Sequence, residues 1–199
     1  MTIVVPTLAR AQPDHDIAAA DFRRAMRHLV GGVSVITVGQ GQNISGMTVS
    51  SVSSLSTDPP SLIVAINRSA SSWPLLLRDR VFGVNILTAD QLDIAERFAG
   101  KDGAKGRDRF KGGVWTTAKT GVPLLVDALV AADCEVEEII ERHSHGIVIG
   151  RVRVRDLIVS SPTAALAYWQ GQYVGINRDE DVVKSAEVGV PAARQSRQR

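Results

Sequence analysis

Strand-like segments follow one another along this chain with few helices between them long enough to carry a parallel crossover. That succession restricts the fold more than any single motif does. Residues 33–38, Val-Ser-Val-Ile-Thr-Val, read as a strand, 39–43 as a hairpin turn and 44–51 as a second strand. The Pro59-Pro60 pair forbids helix and introduces a third strand over 61–66. Further strands are expected at 81–87, 114–118, 128–138 and 145–158, with a closing strand at 168–176. In the segment 145–158, Val152 and Val154 alternate with Arg151, Arg153 and Arg155, a period of two that buries one face and wets the other. Between the strands lie short helices. Phe22, Ala25, Met26 and Leu29 recur at helical spacing until Gly31-Gly32 stops them, and Pro74 sits in the first turn of a helix over 73–78. Thr88 and Gln91 form a capping box for a third helix that Gly100 closes, and a helical turn is expected at 162–167. The polar, glycine-rich stretch 101–113 reads as a mobile loop. No repeat is visible, and the pattern is that of a mainly β barrel or sandwich rather than a doubly wound sheet.

With 199 residues the chain is long enough for one domain that buries its own core, and composition places it at 18–176, with a disordered lead-in over 1–17 and a polar tail over 177–199. A formal charge of +2 is too small to argue for nucleic acid, and Arg194, Arg197 and Arg199 read as a solvated tail. No apolar run approaches a membrane span. The first residues lack a basic region and their apolar run is broken by Pro6 and Thr7, so no signal peptide is expected and a cytoplasmic protein is the default. The one cysteine, Cys134, excludes an intrachain disulfide and reads as a buried thiol, with no histidine or basic partner to activate it.

Glycine-rich dinucleotide, Walker and nucleophile-elbow motifs are all missing, so the chemistry must be sought elsewhere. The stretch that stands out is Ser45-Gly46-Met47-Thr48-Val49-Ser50-Ser51, followed by Ser54-Leu55-Ser56-Thr57-Asp58-Pro59-Pro60, then an apolar strand ending Asn67-Arg68-Ser69-Ala70-Ser71-Ser72 at a helix entrance. Short neutral donors beside a helix N-terminus suit a phosphate-bearing ligand, and their lack of charge favours a held cofactor over a polyanion.

This stretch resembles the flavin-binding segment of the short-chain flavin reductases, the small reductase partners of two-component flavin monooxygenases. The resemblance covers residues 20–176. It implies an FMN-binding split β-barrel with short flanking helices, usually a homodimer with flavin near the subunit interface, and an enzyme that passes hydride from NADH or NADPH to FMN or FAD and supplies reduced flavin to a separate oxygenase. It assigns the flavin ring and ribityl chain to Thr48, Val49, Ser50 and Ser51, and the phosphate and ribityl segment to Ala65, Ile66, Asn67, Ser71 and Ser72, with Arg68 offsetting charge. Phe98-Ala99-Gly100-Lys101 and the downstream Arg109-Phe110 resemble a second flavin-side segment, in which Phe98 packs against the site, Gly100 approaches the ligand and Lys101 reaches phosphate. His143-Ser144-His145-Gly146 resembles the turn whose histidine lies by the nicotinamide, a role that falls to His145. Here His143 stands where glycine is usual and Ser144 where Asp or Thr is usual. Tyr168-Trp169 resembles an aromatic closing strand, from which Trp169 would contact ring or nicotinamide.

Each assignment has a plainer counterpart. Hydroxyl residues also populate turns and wet strand faces, Arg68 reads equally as an exposed arginine, Ser71 as an N-cap, and Lys101 as a basic last turn. His145 reads also as a structural imidazole, or, with Glu141 and His143 on one strand face, as part of a metal site. Trp169 reads as core, and Trp73 and Trp115 as packing. Three readings therefore stand beside one another: a flavin reductase using bound cofactors instead of an acid–base dyad, a non-catalytic flavin-binding barrel, and a metal-dependent barrel enzyme using His143 and His145. A nucleic-acid barrel has only the arginine ladder in its favour.

Overall fold

A computed structural model of the protein describes residues 17–159 and 164–177. In chain order its elements are α1 (Ala19–Met26), β1 (Gly31–Gly32), β2 (Ser34–Gln40), β3 (Asn43–Val49), β4 (Ser53–Thr57), β5 (Pro60–Asn67), α2 (Trp73–Asp79) and β6 (Val81–Ile86). They continue with α3 (Leu92–Phe98), β7 (Trp115–Thr117), β8 (Pro123–Leu125), β9 (Val130–Arg142), β10 (His145–Val159), β11 (Ala165–Trp169) and β12 (Gln172–Ile176). A 3-10 turn, Ala89–Gln91, leads into α3, and another, Gly106–Phe110, interrupts the stretch expected as a loop. No helix among the described residues is long and apolar enough to cross a membrane.

Seven antiparallel strands form the main sheet in the order β3-β2-β6-β9-β10-β5-β4, while β1-β11-β12 and β7-β8 form small satellite sheets. The long β9–β10 ladder carries register shifts after Ile149 and Val152, irregularities of the kind that bend a sheet and increase its twist. Both faces of the sheet are covered. Val35 and Ala131 belong to one core with Phe98 and Phe110, while their neighbours Ile36 and Ala132 belong to a second core with Trp73 and Phe82. Successive strand residues point to opposite faces, so a strand buried on both sides must be apolar throughout. That accounts for the unbroken burial of Ser34–Gly39 in β2, where polar Thr37 is accommodated by donating its hydroxyl to Pro123 O at 2.5 Å. Buried Asn85 donates to Val35 O at 3.0 Å and accepts from Leu125 N at 2.7 Å, which ties β8 to the sheet.

The mainly β expectation holds, as does the capping box: Thr88 N donates to Gln91 Oε1 at 3.0 Å. Several boundaries differ. β4 and β8 were not anticipated, since Ser53–Thr57 carries one apolar side chain and β8 has only three residues. The closing strand is two strands around a turn at Gln170-Gly171, where both φ values are positive, 50° and 85°. Of the helical turn placed at 162–167, residues 165–167 belong to β11 instead, because they pair with β12 and β1, and residues 162 and 163 lie outside the described residues. The tail beyond 177 and the lead-in over 1–16 also lie outside them. α1 forms as expected, but none of its residues is buried.

Candidate functional site

The hydroxyl-rich end of β3 leads through residues 50–52 to β4, the strand at the other edge of the sheet, and that crossing makes a ledge. β3 is an edge strand, so alternate backbone N–H groups on its unpaired side have no ladder partner among the described residues. On one side of the ledge lies a cleft of about 400 Å³ lined by Met47, Thr48, Val49, Ser50, Ser51, Ala65, Asn67, Ala70 and His145. On the other lies a depression of about 380 Å³ lined by Val33, Thr48, Val49, Ser50, Ala99, Lys101, Tyr168, Gly171 and Tyr173. Residues 48–50 belong to both, so the two hollows form one trough over the ledge.

Register explains why residues so distant in sequence meet. β5 and β10 pair with Asn67 opposite His145, which sets the histidine across the strand from the end of the phosphate-type segment. Ser144 Oγ and His145 Nδ1 are 2.9 Å apart, a hydrogen bond that holds the imidazole and leaves Nε2 open. The β9–β10 turn that delivers it is completed by His143 at φ 49°, so this residue adopts the left-handed conformation in the position where the resemblance has glycine. Gly146 is required for a different reason. A Cβ there would lie 2.3 Å from Trp73 Cη2, so the benzo ring of that α2 indole takes the place of a side chain on the strand beside His145.

The hydrogen bonds redistribute the donors. Thr48 gives its hydroxyl to Ala95 O at 2.6 Å, joining the ledge to α3, and Ser51 gives its own to Ala65 O at 2.8 Å, joining it to β5. Among the cleft serines this leaves the exposed hydroxyl of Ser50, and beside Ala70 that of Ser71, without a hydrogen bond among the described residues. Asn67 Oδ1 accepts from Ser69 N and Ser69 Oγ, both at 2.9 Å, shaping the turn into α2. Ser72 is the N-cap of α2, yet it is wholly buried with its hydroxyl 3.7 Å from Met47 Sδ, so that hydroxyl is unavailable to a ligand. Ile66 is likewise buried and carries the cleft from beneath.

Phe98 and Phe110 also stand behind the trough rather than in it. Phe98 meets Phe110 edge-on at 5.0 Å and Trp115 at 5.5 Å, and its ring fills the space a Cβ on Gly46 would occupy. Ala99 and Lys101 do reach the trough, with Gly100 between them at φ 83°. Lys101 Nζ lies 2.5 Å from Glu96 Oε1 and 5.4 Å from the Tyr173 ring centroid; the hydrogen bond to Glu96 raises its pKa. Burial pushes the Tyr173 phenol up. Arg68 is turned away: it donates to His143 O at 3.2 Å and pairs with Glu141 Oε2 at 2.6 Å, bracing the β9–β10 turn. Trp169 is exposed on β11 and lines neither hollow. The lining residues that sequence reasoning did not assign to a ligand are Val33, Met47, Ala70, Tyr168, Gly171 and Tyr173. For Tyr168 and Tyr173 the signal was the aromatic spacing of the last strands.

The ion pair of Glu141 removes the carboxylate from the set proposed with His143 and His145, and no group of three His, Cys, Asp or Glu among the described residues is arranged to hold a metal. The arginine ladder is neutralised: Arg151 pairs with Glu137 at 2.7 Å and Arg153 with Glu135, while the Arg155 side chain lies outside those described. Cys134 is buried, and burial pushes its thiol up to about 12.

Residues 26–177 match the model of the flavin reductase like domain. The chain is 32% identical over 177 residues to the FMN reductase (NADH) RutF 2 of Rhizobium rhizogenes, covering 88% of this chain and 97% of that one. To a flavin reductase of Pseudomonas putida it is 36% identical over 155 residues, 77% of this chain and 88% of the relative. Among solved structures, BorF, the flavin reductase component of a bacterial two-component tryptophan halogenase, superposes with a TM-score of 0.74 at 30% identity, covering 81% of this chain and all of the other. The Streptomyces globisporus NADH:FAD oxidoreductase SgcE6, in complex with NAD and FAD fragments, gives 0.72 at 25% identity over 80% of this chain and 93% of that one.

Proposed function

The chain belongs to the flavin reductase-like domain family and is an NAD(P)H:flavin oxidoreductase, and from that premise we propose which of its residues hold the two cofactors. The functional unit is residues 18–176. Flavin, FMN or FAD, lies along the ledge of residues 48–51, where outward N–H groups of the β3 edge and the hydroxyls of Ser50 and Ser71 meet its polar atoms. Ala65 and Asn67 form the facing wall, and Ala99, Gly100 and Lys101 close the far side, with Lys101 the one lysine or arginine among the described lining residues. The trough fits such a ligand: each hollow is within the size of small-molecule sites, and its polar lining is mostly neutral. Flavin, once bound, supplies the hydride-accepting chemistry that this chain's side chains lack.

The protein's own work is therefore positional. Thr48 and Ser51 spend their hydroxyls on Ala95 O and Ala65 O, which holds the ledge rigid between α3 and β5. Backbone N–H groups fixed in this way stabilise charge that develops on a ligand without reorganising. His145, held through Nδ1 by Ser144, presents Nε2 to the nicotinamide of NADH or NADPH across from Asn67. Holding donor and acceptor in one trough supplies the proximity and alignment that a bimolecular encounter in water lacks.

The observation that carries this reading is the meeting of the neutral ledge with His145 in one cleft. Mixing the purified protein with NADH or NADPH and with FMN or FAD, and following nicotinamide absorbance, tests it. Oxidation that depends on flavin is expected, and its absence with every pair overturns the assignment.

We further propose a homodimer, with reduced flavin passing to a separate oxygenase component in the cytoplasm. The apolar side chains of Phe22 and Met26 on α1, with Leu29 and Val30 after it, are all exposed, an arrangement a monomer rarely leaves uncovered. The α1 segment joins the trough's rim, since Gln170 N donates to Arg27 O at 2.8 Å. Light scattering is expected to give twice the chain mass, and Phe22→Asp to shift it toward the monomer.

A further inference from the structure

Away from the cofactor trough, at the opposite end of β3, a third hollow of about 430 Å³ opens between the start of that strand, the 3-10 turn Gly106–Phe110 and the β7–β8 pair. It shares no lining residue with the trough. Ile44, Phe110, Trp115 and Pro123 give it an apolar floor. Phe110 and Trp115 meet edge-on with centroids 4.9 Å apart, and Trp115 Nε1 donates to Phe110 O at 2.9 Å, so the floor is rigid before any ligand arrives.

Charge at the rim is selective. Lys111 Nζ and Asp108 Oδ1 neutralise each other at 2.8 Å. Arg107, which also lines the hollow, is exposed and makes no hydrogen bond or ion pair among the described residues. The rim thus carries a single uncompensated positive charge, on a planar group suited to accept a carboxylate in bidentate fashion. A fixed aromatic floor beneath one such guanidinium matches a flat apolar ring bearing one negative charge. A phosphate monoester, with nearly two charges at neutral pH, matches it less well and would meet Asp108 as well.

We propose that this hollow is a binding site for a small planar aromatic carboxylate, separate from the flavin and nicotinamide sites. Titration calorimetry on the full chain without flavin tests it, using benzoate, its uncharged analogue benzamide, and phenyl phosphate. Benzoate is expected to bind with one site per chain, benzamide at least about tenfold more weakly, and phenyl phosphate no more tightly than benzoate. Arg107→Ala, a change at an exposed side chain without partners, is expected to weaken benzoate about tenfold or more while leaving flavin-dependent NADH oxidation unchanged. A bulky Thr117→Trp substitution at the rim is expected to abolish benzoate binding. No heat with benzoate at millimolar concentration overturns the proposal. So does equal affinity for benzamide, tighter binding of phenyl phosphate, or unaltered benzoate binding in Arg107→Ala. These outcomes do not bear on the reductase reading, which is tested by flavin-dependent turnover.

Discussion

Replacing Gly146 by alanine tests how the fold supports the site. Position 146 lies in β10, paired with Ile66 of β5 and with Glu141 of β9, so the backbone is held on both sides. An added Cβ would stand 2.3 Å from Trp73 Cη2, 2.8 Å from Cζ3 and 3.3 Å from Cζ2. Carbon atoms pack comfortably at ~3.5–4.0 Å, so ring or strand must yield by about 1.2 Å at the worst contact. The indole is nearly fully buried in the core that contains Ile66, Leu76 and Val148, and dense cores give way poorly. Overpacking of this kind costs about 3 kcal/mol, against which alanine's lower chain entropy in a strand restores roughly 0.5–1 kcal/mol. The expected net loss is about 2 kcal/mol, or a fall in melting temperature of about 4–8 °C for a chain of this size. Urea denaturation of the single variants and the pair measures it. Trp73→Phe withdraws the offending benzo ring, so Gly146→Ala is expected to cost at least ~1 kcal/mol less in that background. A Gly146→Ala protein as stable as the parent, or strictly additive effects of the two changes, refutes the argument that the indole occupies the place of the missing side chain.

The remaining predictions follow from single contacts. His145→Ala is expected to raise KM for the pyridine nucleotide by about tenfold or more and to leave flavin affinity unchanged; a matching loss of flavin binding would show that the imidazole serves the wrong ligand. Arg68→Ala is expected to alter FMN affinity by less than about threefold, because its exposed pair with Glu141 braces a turn and such pairs contribute little; a loss of tenfold, read by flavin fluorescence, would make Arg68 a phosphate ligand. Cys134 stays a thiol in the folded state up to about pH 12, whereas the unfolded thiol ionises near the ordinary 9.0. The unfolded chain thus gives up its proton first, and stability is expected to fall between about pH 9 and 12. A Cys134→Ala variant should lose that slope, and native protein should react with a thiol reagent only on unfolding; fast native labelling would contradict the burial.

Local signals in the chain carried further here for the fold than for the site. The Thr88–Gln91 capping box and the Pro59-Pro60 break each act within a few residues, and each appears in the structure where the sequence places it, whereas the alternation read over 151–155 ends at side chains outside those described. Segments that depend on distant partners were not legible. Three-residue β8 exists because Asn85 and Thr37 bind it from other strands, and residues 165–167 become strand because β12 and β1 pair with them. The same division runs through the trough. The amino-acid order alone determined a mainly β chain with a run of neutral hydroxyls before a short helix, and a histidine at the head of a long strand. Only the tertiary structure decided which hydroxyls remain free. A serine or threonine donates to whichever carbonyl the fold brings near, so Ala95 and Ala65 claim Thr48 and Ser51, burial takes Ser72, and Ser50 and Ser71 keep hydroxyls without a hydrogen bond among the described residues.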